Sequence, residues 1–211
     1  MKDFILEHPF FYRLYQNLVR KKKDEYQLFK YIFSKIKENN TIRLLDICCG
    51  DSYVLNYINE YLDDYMGIDN NPKYLKNLSI KWPKFTFNKL DIKSEETLKT
   101  IKKFNPNFIF INGAIHHLDD NTVQTINSIF RLLHNCIFLS VDPVTHENNL
   151  INKIMIYFDR GKFIRSALMY EKLMKDYESI IIDDFYKMSF KNIFHYKNFQ
   201  LPALYKEWKK L

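Results

Sequence analysis

The stretch LLDICCGDS, residues 44–52, holds residues whose types and spacing could do chemistry. An apolar run there is followed by Asp46, Cys48, Cys49 and Gly50. Adjacent thiols suggest a metal or redox site, whereas a glycine among small side chains suggests a loop that a ligand can approach closely. The chain has three cysteines, and no Cys/His spacing in it resembles a zinc site. The loop interpretation is therefore favoured, and no metal is predicted.

Two further acids, Asp69 and Asp91, stand where later apolar runs end. Ligands of open parallel sheets bind beyond the carboxyl ends of the strands, beside the first strand. Asp69 follows the loop by about twenty residues, a spacing that suits a carboxylate accepting from two ribose hydroxyls. Asp91 and the backbone N–H of Ile92 suit the edge of an adenine. Each acid alone is as typical of a turn or a helix cap, but together they favour an adenosine ligand.

The loop itself distinguishes between two adenosine ligands. A dinucleotide site needs G-x-G-x-x-G, and the matching positions here are Cys48, Gly50 and Tyr53. The ring of Tyr53 would obstruct the close packing that the third glycine permits, and Asp51 would face a phosphate with a like charge. A ligand that ends in an ammonium and a carboxylate tolerates this loop better. The sequence thus favours S-adenosylmethionine over NAD.

Alternating strand-like and helix-like segments must position these residues. Five buried runs, within residues 42–47, 65–69, 85–92, 107–113 and 136–143, alternate with helical patterns. This alternation predicts an α/β fold with a mostly parallel sheet covered on both faces. After Pro143 we expect a long connection, a helix near residues 167–176, and two strand-like runs, 179–190 and 192–199, that pair antiparallel. Before the first strand, two helical patterns lie within residues 9–20 and 29–36.

Length, charge and hydropathy bound the class of protein. A chain of 211 residues supports one domain, and we expect a single domain over 1–211, with an N-terminal helical cap at 1–40, a cofactor-binding core at 41–145 and an acceptor-side segment with the closing hairpin at 146–211. No apolar run approaches the length of a membrane span and no signal-peptide core is evident, so a cytoplasmic location is expected. The net charge is +7, but the lysines are scattered, which indicates compositional bias rather than a nucleic-acid surface.

The loop after the first strand resembles the first motif of class I S-adenosylmethionine-dependent methyltransferases, a strand followed by Asp-x-Gly-x-Gly-x-Gly. Asp46 stands at the acid of the motif, Cys48 at its first glycine, Gly50 at its second and Ser52 at its third. The resemblance implies a Rossmann-like, doubly wound sheet of seven strands with an antiparallel C-terminal hairpin. It also implies that Asp46, Cys48 and Gly50 bind the cofactor S-adenosyl-L-methionine.

Later segments extend the resemblance over roughly residues 40–145. MGIDNNP is similar to the ribose-binding motif, LDI is similar to the adenine-contacting motif, and INGAIHHLDD followed by IFLSVDP is similar to the fourth-strand and fifth-strand region. The resemblance therefore implies further cofactor contacts at Asp69, Asn70, Asp91, Ile92 and Asn112.

The family implies no fixed general base, so the catalytic candidates come from position. His116 and His117 follow the predicted fourth strand, beside the place where the methyl group should emerge. Histidine can take a proton near neutral pH, and we predict His117, ahead of His116, as a catalytic base. The alternative is that one imidazole packs inward and the other caps the next helix.

Several residues outside the motifs are candidates for the acceptor side. Asp142 lines the acceptor pocket or forms a turn before Pro143. The turn from Asp159 to Lys162, together with Arg165, receives an anionic acceptor or forms a solvated loop. The N-terminal aromatic segment covers the cofactor or belongs to the core, with Tyr12, Tyr15 and Gln16 as its lid residues.

These observations predict a methyltransferase that acts on a small-molecule or carbohydrate acceptor, by O- or N-methylation. The segment DRGKFIRS and the runs after it also resemble small bacterial methyltransferases of that kind. A nucleic-acid (RNA) methyltransferase is the alternative that the net charge favours, although the sequence lacks the Asn/Asp-Pro-Pro-aromatic tetrad of amine-directed base methylation. A protein that binds the cofactor without turnover is the third, favoured by the substituted glycines.

Overall fold

The computed structural model describes residues 22–133, 135–145, 150–159, 161–182, 185 and 191–211. The helical pattern predicted within residues 9–20, with the lid residues Tyr12, Tyr15 and Gln16, lies outside these ranges. Arg160 of the predicted acidic-basic turn lies outside them as well.

The described strands form one mixed sheet with β6 attached beside its main path. In chain order the strands are β1 (Arg43–Ile47), β2 (Asp64–Asp69), β3 (Thr86–Lys89), β4 (Phe108–Asn112), β5 (Ile137–Thr145), β6 (Arg165–Ser166), β7 (Glu178–Ile182) and β8 (Lys191–Lys197).

Helices connect and cover these strands. They are α1 (Lys22–Lys37), α2 (Leu55–Ile58), α3 (Pro72–Leu75), α4 (Leu78–Lys81), α5 (Glu95–Phe104), α6 (Asp120–Arg131), α7 (Leu150–Phe158), α8 (Ala167–Leu173) and α9 (Leu201–Trp208), with 3₁₀ turns at Asn59–Tyr61 and Ile115–His117.

The strand order places β1 at the centre of the sheet, in the sequence β3-β2-β1-β4-β5-β8-β7, with β6 beside β5. The first five strands pair in parallel, and β8 runs antiparallel to both β5 and β7. The chain passes from β1 to β2 and β3 on one side, and then returns to β4 on the other. The carboxyl ends of β1 and β4 therefore flank the switch point where such sheets bind ligands. The predicted doubly wound fold and its antiparallel hairpin are confirmed.

The central strands β1, β2, β4 and β5 are buried on both faces, whereas the edge strand β3 is partly exposed. Phe108 and Phe110 of β4 enter the core under α1, whereas Ile109 and Ile111 enter the core on the opposite face of the sheet. Burial on both faces explains why β4 reads as a continuous apolar run instead of an alternating one. Aromatic contact ties α1 to the sheet, since the rings of Phe33 and Phe108 stack with centroids 4.7 Å apart.

Three helix starts follow the sequence signals. Pro72 occupies the first turn of α3, where the Asn71 side chain accepts from the Lys73 N–H. Ser94 accepts from the Thr97 N–H at the start of α5, which is the half of the capping box that the sequence allows. Asp119 caps α6 through the Thr122 N–H.

Two helices have no clear signal in the sequence. In the predicted long connection, α7 forms at Leu150–Phe158, and its sequence LINKIMIYF is apolar almost all round, so no polar face marks the period. At the end of the chain, α9 packs Tyr205 and Trp208 against the core under α1. The helix predicted near 167–176 is present and ends earlier, at Leu173.

Candidate functional site

The loop between β1 and α2 has an alternating left-handed backbone. The φ angles are 56° at Cys48, 55° at Gly50 and 50° at Ser52. Glycine adopts this region readily, whereas other residues pay about 1 to 3 kcal/mol for it. These are the three positions at which the resembled motif has glycine. The loop therefore keeps the backbone shape of that motif even though two of its glycines are substituted.

Backbone hydrogen bonds fix this loop to the end of β2. The Cys49 N–H donates to the Ile68 carbonyl at 3.1 Å, and the Gly50 N–H donates to Asp69 Oδ2 at 3.0 Å. Gly67 of β2 makes room for the loop, because a Cβ there would lie 2.9 Å from Cys49 Sγ. The second cysteine is thus a packing residue of the loop.

A buried polar network lies beneath the loop. The Tyr65 hydroxyl donates to Asp46 Oδ2 at 2.7 Å and lies 3.0 Å from Ser52 Oγ. Burial raises the pKa of Asp46 to about 7, with the nearby Asp69 charge adding to the rise and the Tyr65 hydrogen bond opposing it. We expected Asp46 to contact the cofactor, and its described partner is Tyr65. Sequence reasoning missed Tyr65, which resembles any other apolar residue of β2.

The carboxylate of Asp69 retains acceptor capacity. Its Oδ1 accepts from the Asn71 N–H at 2.8 Å, and its Oδ2 accepts from the Gly50 N–H. Each carboxylate oxygen offers about two acceptor positions, so further donors such as ribose hydroxyls have a place to bind. The side chain of the adjacent Asn70 is exposed at the same strand end.

The end of β3 lies next to the end of β2. The Leu90 N–H donates to the Asp69 carbonyl at 3.1 Å, which brings the segment of Asp91 and Ile92 beside the ribose-binding candidate. Asp91 is exposed and accepts from the Lys93 N–H through Oδ1, whereas Ile92 is buried. The predicted residues of the first three strand ends are therefore brought together.

Beyond β4, a tight turn presents the histidine pair. Asn112 ends the strand partly buried, and the Gly113 N–H donates to the Val141 carbonyl at 2.7 Å, with φ of 65° at Gly113. The 3₁₀ turn that follows carries His116 inward and His117 outward. The two imidazole rings lie with their centroids 4.1 Å apart.

His116 is held between two carboxylates. Its Nδ1 lies 2.8 Å from Asp142 Oδ1, which also accepts from the His116 backbone N–H at 3.0 Å. Its Nε2 lies 3.3 Å from Asp159 Oδ1. Burial alone lowers the pKa of His116, but the hydrogen bonds and charges of the two aspartates outweigh it and raise the pKa to about 9. At neutral pH this imidazole therefore carries a proton.

The two aspartates of the cluster differ in their surroundings. Asp142 is fully buried in β5, and burial raises its pKa, opposed by the hydrogen bonds and charge of His116. Its Oδ2 has no hydrogen-bond partner among the described residues. Burial also raises the pKa of Asp159, but the interactions with His116 are stronger and hold that pKa below its usual range. Asp142 is thus a buried partner of His116 within β5, and not a turn residue.

Arg165 has a different place from either one that the sequence suggested. The guanidinium is buried and donates to the carbonyls of Ile115, Phe163 and Leu118. It also forms an ion pair with Asp120 at 2.5 Å. Because its donors are engaged within the protein, Arg165 holds the histidine turn in place instead of receiving an anionic acceptor.

Comparison with known families identifies this arrangement. Residues 38–198 match the family model described as a methyltransferase domain. The match covers most of the chain, so the protein belongs to this methyltransferase-domain family. No curated protein sequence matches the chain at a significant level.

Solved methyltransferase structures share the fold at low sequence identity. The plantazolicin methyltransferase BpumL, in complex with SAH and a desmethyl analogue, gives a TM-score of 0.62 with 15% identity over 94% of this chain and 95% of that chain. The methyltransferase domain of bacterial CtHen1 gives 0.54 with 11% identity over 80% of this chain and 98% of that chain. For the mitomycin 7-O-methyltransferase MmcR the TM-score is 0.59, with 11% identity over 82% of this chain and 54% of that chain.

The protein is an S-adenosylmethionine-dependent methyltransferase, and S-adenosylmethionine is its cofactor. Among the helices of the described ranges, none combines the length and the apolar character that a bilayer crossing requires.

The two substituted glycine positions should respond differently to restoration of glycine. Cys48→Gly removes the strain of a non-glycine residue in the left-handed region and breaks no hydrogen bond of the loop. The free energy of unfolding should therefore stay equal or rise by up to about 1 kcal/mol. Ser52→Gly gives the same relief but removes the partner of Tyr65, so it should lower that free energy relative to Cys48→Gly. Urea denaturation of both variants measures the difference. The reverse order would contradict the account of the loop.

The buried Asp46 should make stability depend on pH. Its pKa in the folded protein, about 7, lies above the ordinary value of about 3.8 in the unfolded chain, so the folded state binds the proton more tightly. The stabilising contribution is complete below pH about 4 and is lost as pH rises through about 7. Relative to Asp46→Asn, the wild type should lose free energy of unfolding across this window, by a few kcal/mol at about 1.4 kcal/mol per pKa unit. Parallel curves for the two proteins in denaturant titrations from pH 4 to pH 8 would contradict this.

Proposed function

We propose that this methyltransferase transfers a methyl group from S-adenosylmethionine to an oxygen or nitrogen atom of a small-molecule or carbohydrate acceptor. The observation that carries the proposal is the polar cluster at the ends of β4 and β5, where His116, Asp142 and Asp159 surround a turn that exposes His117. Such a cluster suits an acceptor atom that must lose a proton, as a hydroxyl or an amine does in O- or N-methylation. An acceptor atom that carries no proton would not need it.

The cofactor in this proposal spans the ends of β1 to β4. Asp69 with Asn70 binds the ribose hydroxyls, and Asp91 with the backbone N–H of Ile92 binds the adenine edge. The loop after β1 runs alongside the rest of the cofactor at Cys48 and Gly50. The buried Asp46 lies beneath these two residues and supports the loop. Asn112 contacts the methionine portion. The Leu90 to Asp69 hydrogen bond and the Gly50 to Asp69 hydrogen bond support this placement, because they bring these segments to one edge of the sheet.

The acceptor side is formed by the segment from residue 146 onward. Asp159 and Arg165 of this segment contact the histidine turn, which belongs to the cofactor-binding core of residues 41–145. Exposed apolar side chains, including those of Leu150, Ile154 and Tyr157, lie at one helical spacing on α7. These contacts support a division of the chain into a core that binds the cofactor and a following segment that contributes to the acceptor side.

The only acid–base step that methyl transfer requires of the protein is removal of a proton from the acceptor. The reaction is an in-line displacement in which the sulfonium becomes a thioether, so the protein must align the acceptor and exclude water. In this proposal an acceptor O–H or N–H gives its proton to His117. His116 is the weaker candidate for that step, because it holds a proton at neutral pH and both of its ring nitrogens face carboxylates.

Removal of the Asp69 carboxylate should weaken cofactor binding. Asp69→Ala loses charge-assisted hydrogen bonds to the ribose and the bond that orients Gly50, so affinity should fall by about 1 to 3 kcal/mol, or roughly 5-fold to 150-fold. Isothermal titration with S-adenosylhomocysteine measures the change.

The matched control is Asp64→Asn, an acid at the opposite end of β2. It should leave the affinity unchanged, and thermal melting should show that both variants remain folded. Equal affinity of Asp69→Ala and the wild type would remove Asp69 from the ribose site. Absence of binding by the wild type at millimolar ligand would contradict the whole assignment.

His117→Gln should slow methyl transfer while leaving cofactor affinity unchanged. General-base loss typically lowers the rate by about 100-fold to 10,000-fold, and the loss should appear in kcat rather than in KM for the cofactor. Methyl-labelled S-adenosylmethionine, incubated with pools of hydroxyl- and amine-bearing small molecules, sugars and RNA, measures the transfer. Label that enters RNA alone would favour the nucleic-acid alternative, and binding without transfer to any pool would favour a protein without turnover.

A further inference from the structure

Two histidines and a carboxylate converge beside the proposed acceptor position. The ligand-capable atoms of His116, His117 and Asp159 lie within 4.8 Å of one another. Within this cluster, His116 Nε2 and Asp159 Oδ1 are 3.3 Å apart. Metal–nitrogen and metal–oxygen bonds of about 2.0 to 2.2 Å place neighbouring ligand atoms roughly 3.0 to 3.5 Å apart, so this pair already has the separation of two ligands of one ion.

A buried carboxylate orients the inner histidine toward this position. Asp142 Oδ1 accepts from the His116 backbone N–H and lies 2.8 Å from Nδ1. This contact fixes the proton on Nδ1 and directs Nε2 at Asp159. Histidines that bind metal ions nearly always donate their other ring nitrogen to a carboxylate or a carbonyl in this way.

The approach of the two chain segments is built into the fold. A Cβ on Gly161 would lie 2.0 Å from Cδ2 of His116, so only glycine lets the segment after α7 reach the imidazole. The Phe163 N–H donates to the His116 carbonyl at 2.9 Å, and Arg165 binds the carbonyls of Ile115 and Leu118 on either side of the histidine pair. Two members of the cluster are thus held by the protein, and the third, His117, is exposed.

We propose that His116, His117 and Asp159 bind one divalent transition-metal ion, which displaces the Nε2 proton of His116 to solvent, with Asp142 as a positioning residue. Imidazole with a carboxylate suits ions such as Zn²⁺, Mn²⁺, Fe²⁺ and Co²⁺. The buried carboxylate of Asp142 and the partly buried carboxylate of Asp159 offset the charge of the ion. Three protein ligands leave coordination positions open toward solvent, as catalytic metal sites require.

The role of the ion rests on the proposed function. An acceptor hydroxyl that binds the ion releases its proton to water more easily, and its oxygen then takes the methyl group as the sulfonium becomes a thioether. His117 acts as a ligand in this form of the proposal, and the ion takes over the activation of the hydroxyl that direct proton removal would otherwise supply. The sequence predicted no metal because its cysteines lack a zinc-like spacing, and Asp159 is too distant along the chain to mark the histidine pair.

Metal titration of the tag-free full chain after dialysis against EDTA tests the proposal. Zn²⁺, Mn²⁺ and Co²⁺ are each added in isothermal titration and thermal melting, and Co²⁺ is also followed by visible absorption. We expect one equivalent to bind, the melting temperature to rise, and Co²⁺ to give absorption bands of nitrogen and oxygen coordination. Failure of all three ions to bind the wild type would overturn the proposal.

Variants locate the site. His117→Ala and Asp159→Asn should each abolish the stoichiometric binding, and Asp142→Asn should weaken it by about 10-fold to 100-fold. The matched control is Glu171→Gln, an exposed acid on α8, which should bind as the wild type does. Equal binding by His117→Ala and the wild type would place the ion elsewhere and overturn the proposal, and this exposed substitution keeps the test valid if Asp159→Asn fails to fold.

Cofactor titration separates this inference from the proposed function. Affinity for S-adenosylhomocysteine in EDTA should equal that of the metal-loaded protein, because the cofactor residues lie on β1 to β4. Full methyl transfer by the EDTA-treated protein would overturn the metal proposal and leave the methyltransferase with His117 as its base.

Discussion

The hydrogen bond from the Gly50 backbone to the Asp69 carboxylate connects the two chain segments on which the cofactor side depends. It joins the loop after β1 to the end of β2, while the second oxygen of Asp69 holds the chain at Asn71. One carboxylate therefore shapes the loop, starts the next segment and still offers acceptor positions to a ligand. The neighbouring end of β3 is attached to the same residue through its carbonyl, so the proposed ribose and adenine positions share one anchor.

The loop after β1 keeps its shape at an energetic cost that a buried network offsets. Cys48 and Ser52 take left-handed conformations that side chains disfavour. The Ser52 hydroxyl lies next to the Tyr65 hydroxyl, which donates to the buried Asp46. A fully buried carboxylate is costly unless it is hydrogen-bonded. The positions of Tyr65 and Ser52 in this network therefore require side chains with hydroxyl groups. The substituted glycines thus alter the loop's stability without altering its path.

The proposed acceptor side is organised by charged groups that occur in opposed pairs, with His116, Asp142 and Arg165 buried. His116 lies between Asp142 and Asp159, and Arg165 pairs with Asp120 while it binds the carbonyls around the histidine turn. Buried charges are tolerated when partners and hydrogen bonds compensate the lost solvation. These pairs connect the end of β4, the buried strand β5 and the segment after α7. Their common effect is to hold the histidine turn at one fixed place beside the switch point of the sheet.

The sequence by itself determined the order of elements, the parallel core of the sheet, the antiparallel hairpin and the class of cofactor. These features depend on local patterns: continuous apolar runs, capping residues such as Ser94 and Asp119, and acids at the ends of strands. Its predictions for Asp69 and Asp91 concern strand ends, whose neighbourhood follows from topology alone. The order of residues along the chain was therefore sufficient to predict that these strand ends lie together.

Only the tertiary structure decided which side chains meet across distant segments. Tyr65 as the partner of Asp46, Asp159 as a neighbour of His116, and Arg165 as a clamp on the histidine turn have no signature in spacing. The helix α7 also escaped prediction, because an almost wholly apolar segment shows no period. Contacts of this kind depend on side-chain burial, rotamers and the close approach that Gly161 permits. Such determinants act through space, and the linear order of residues does not encode them locally.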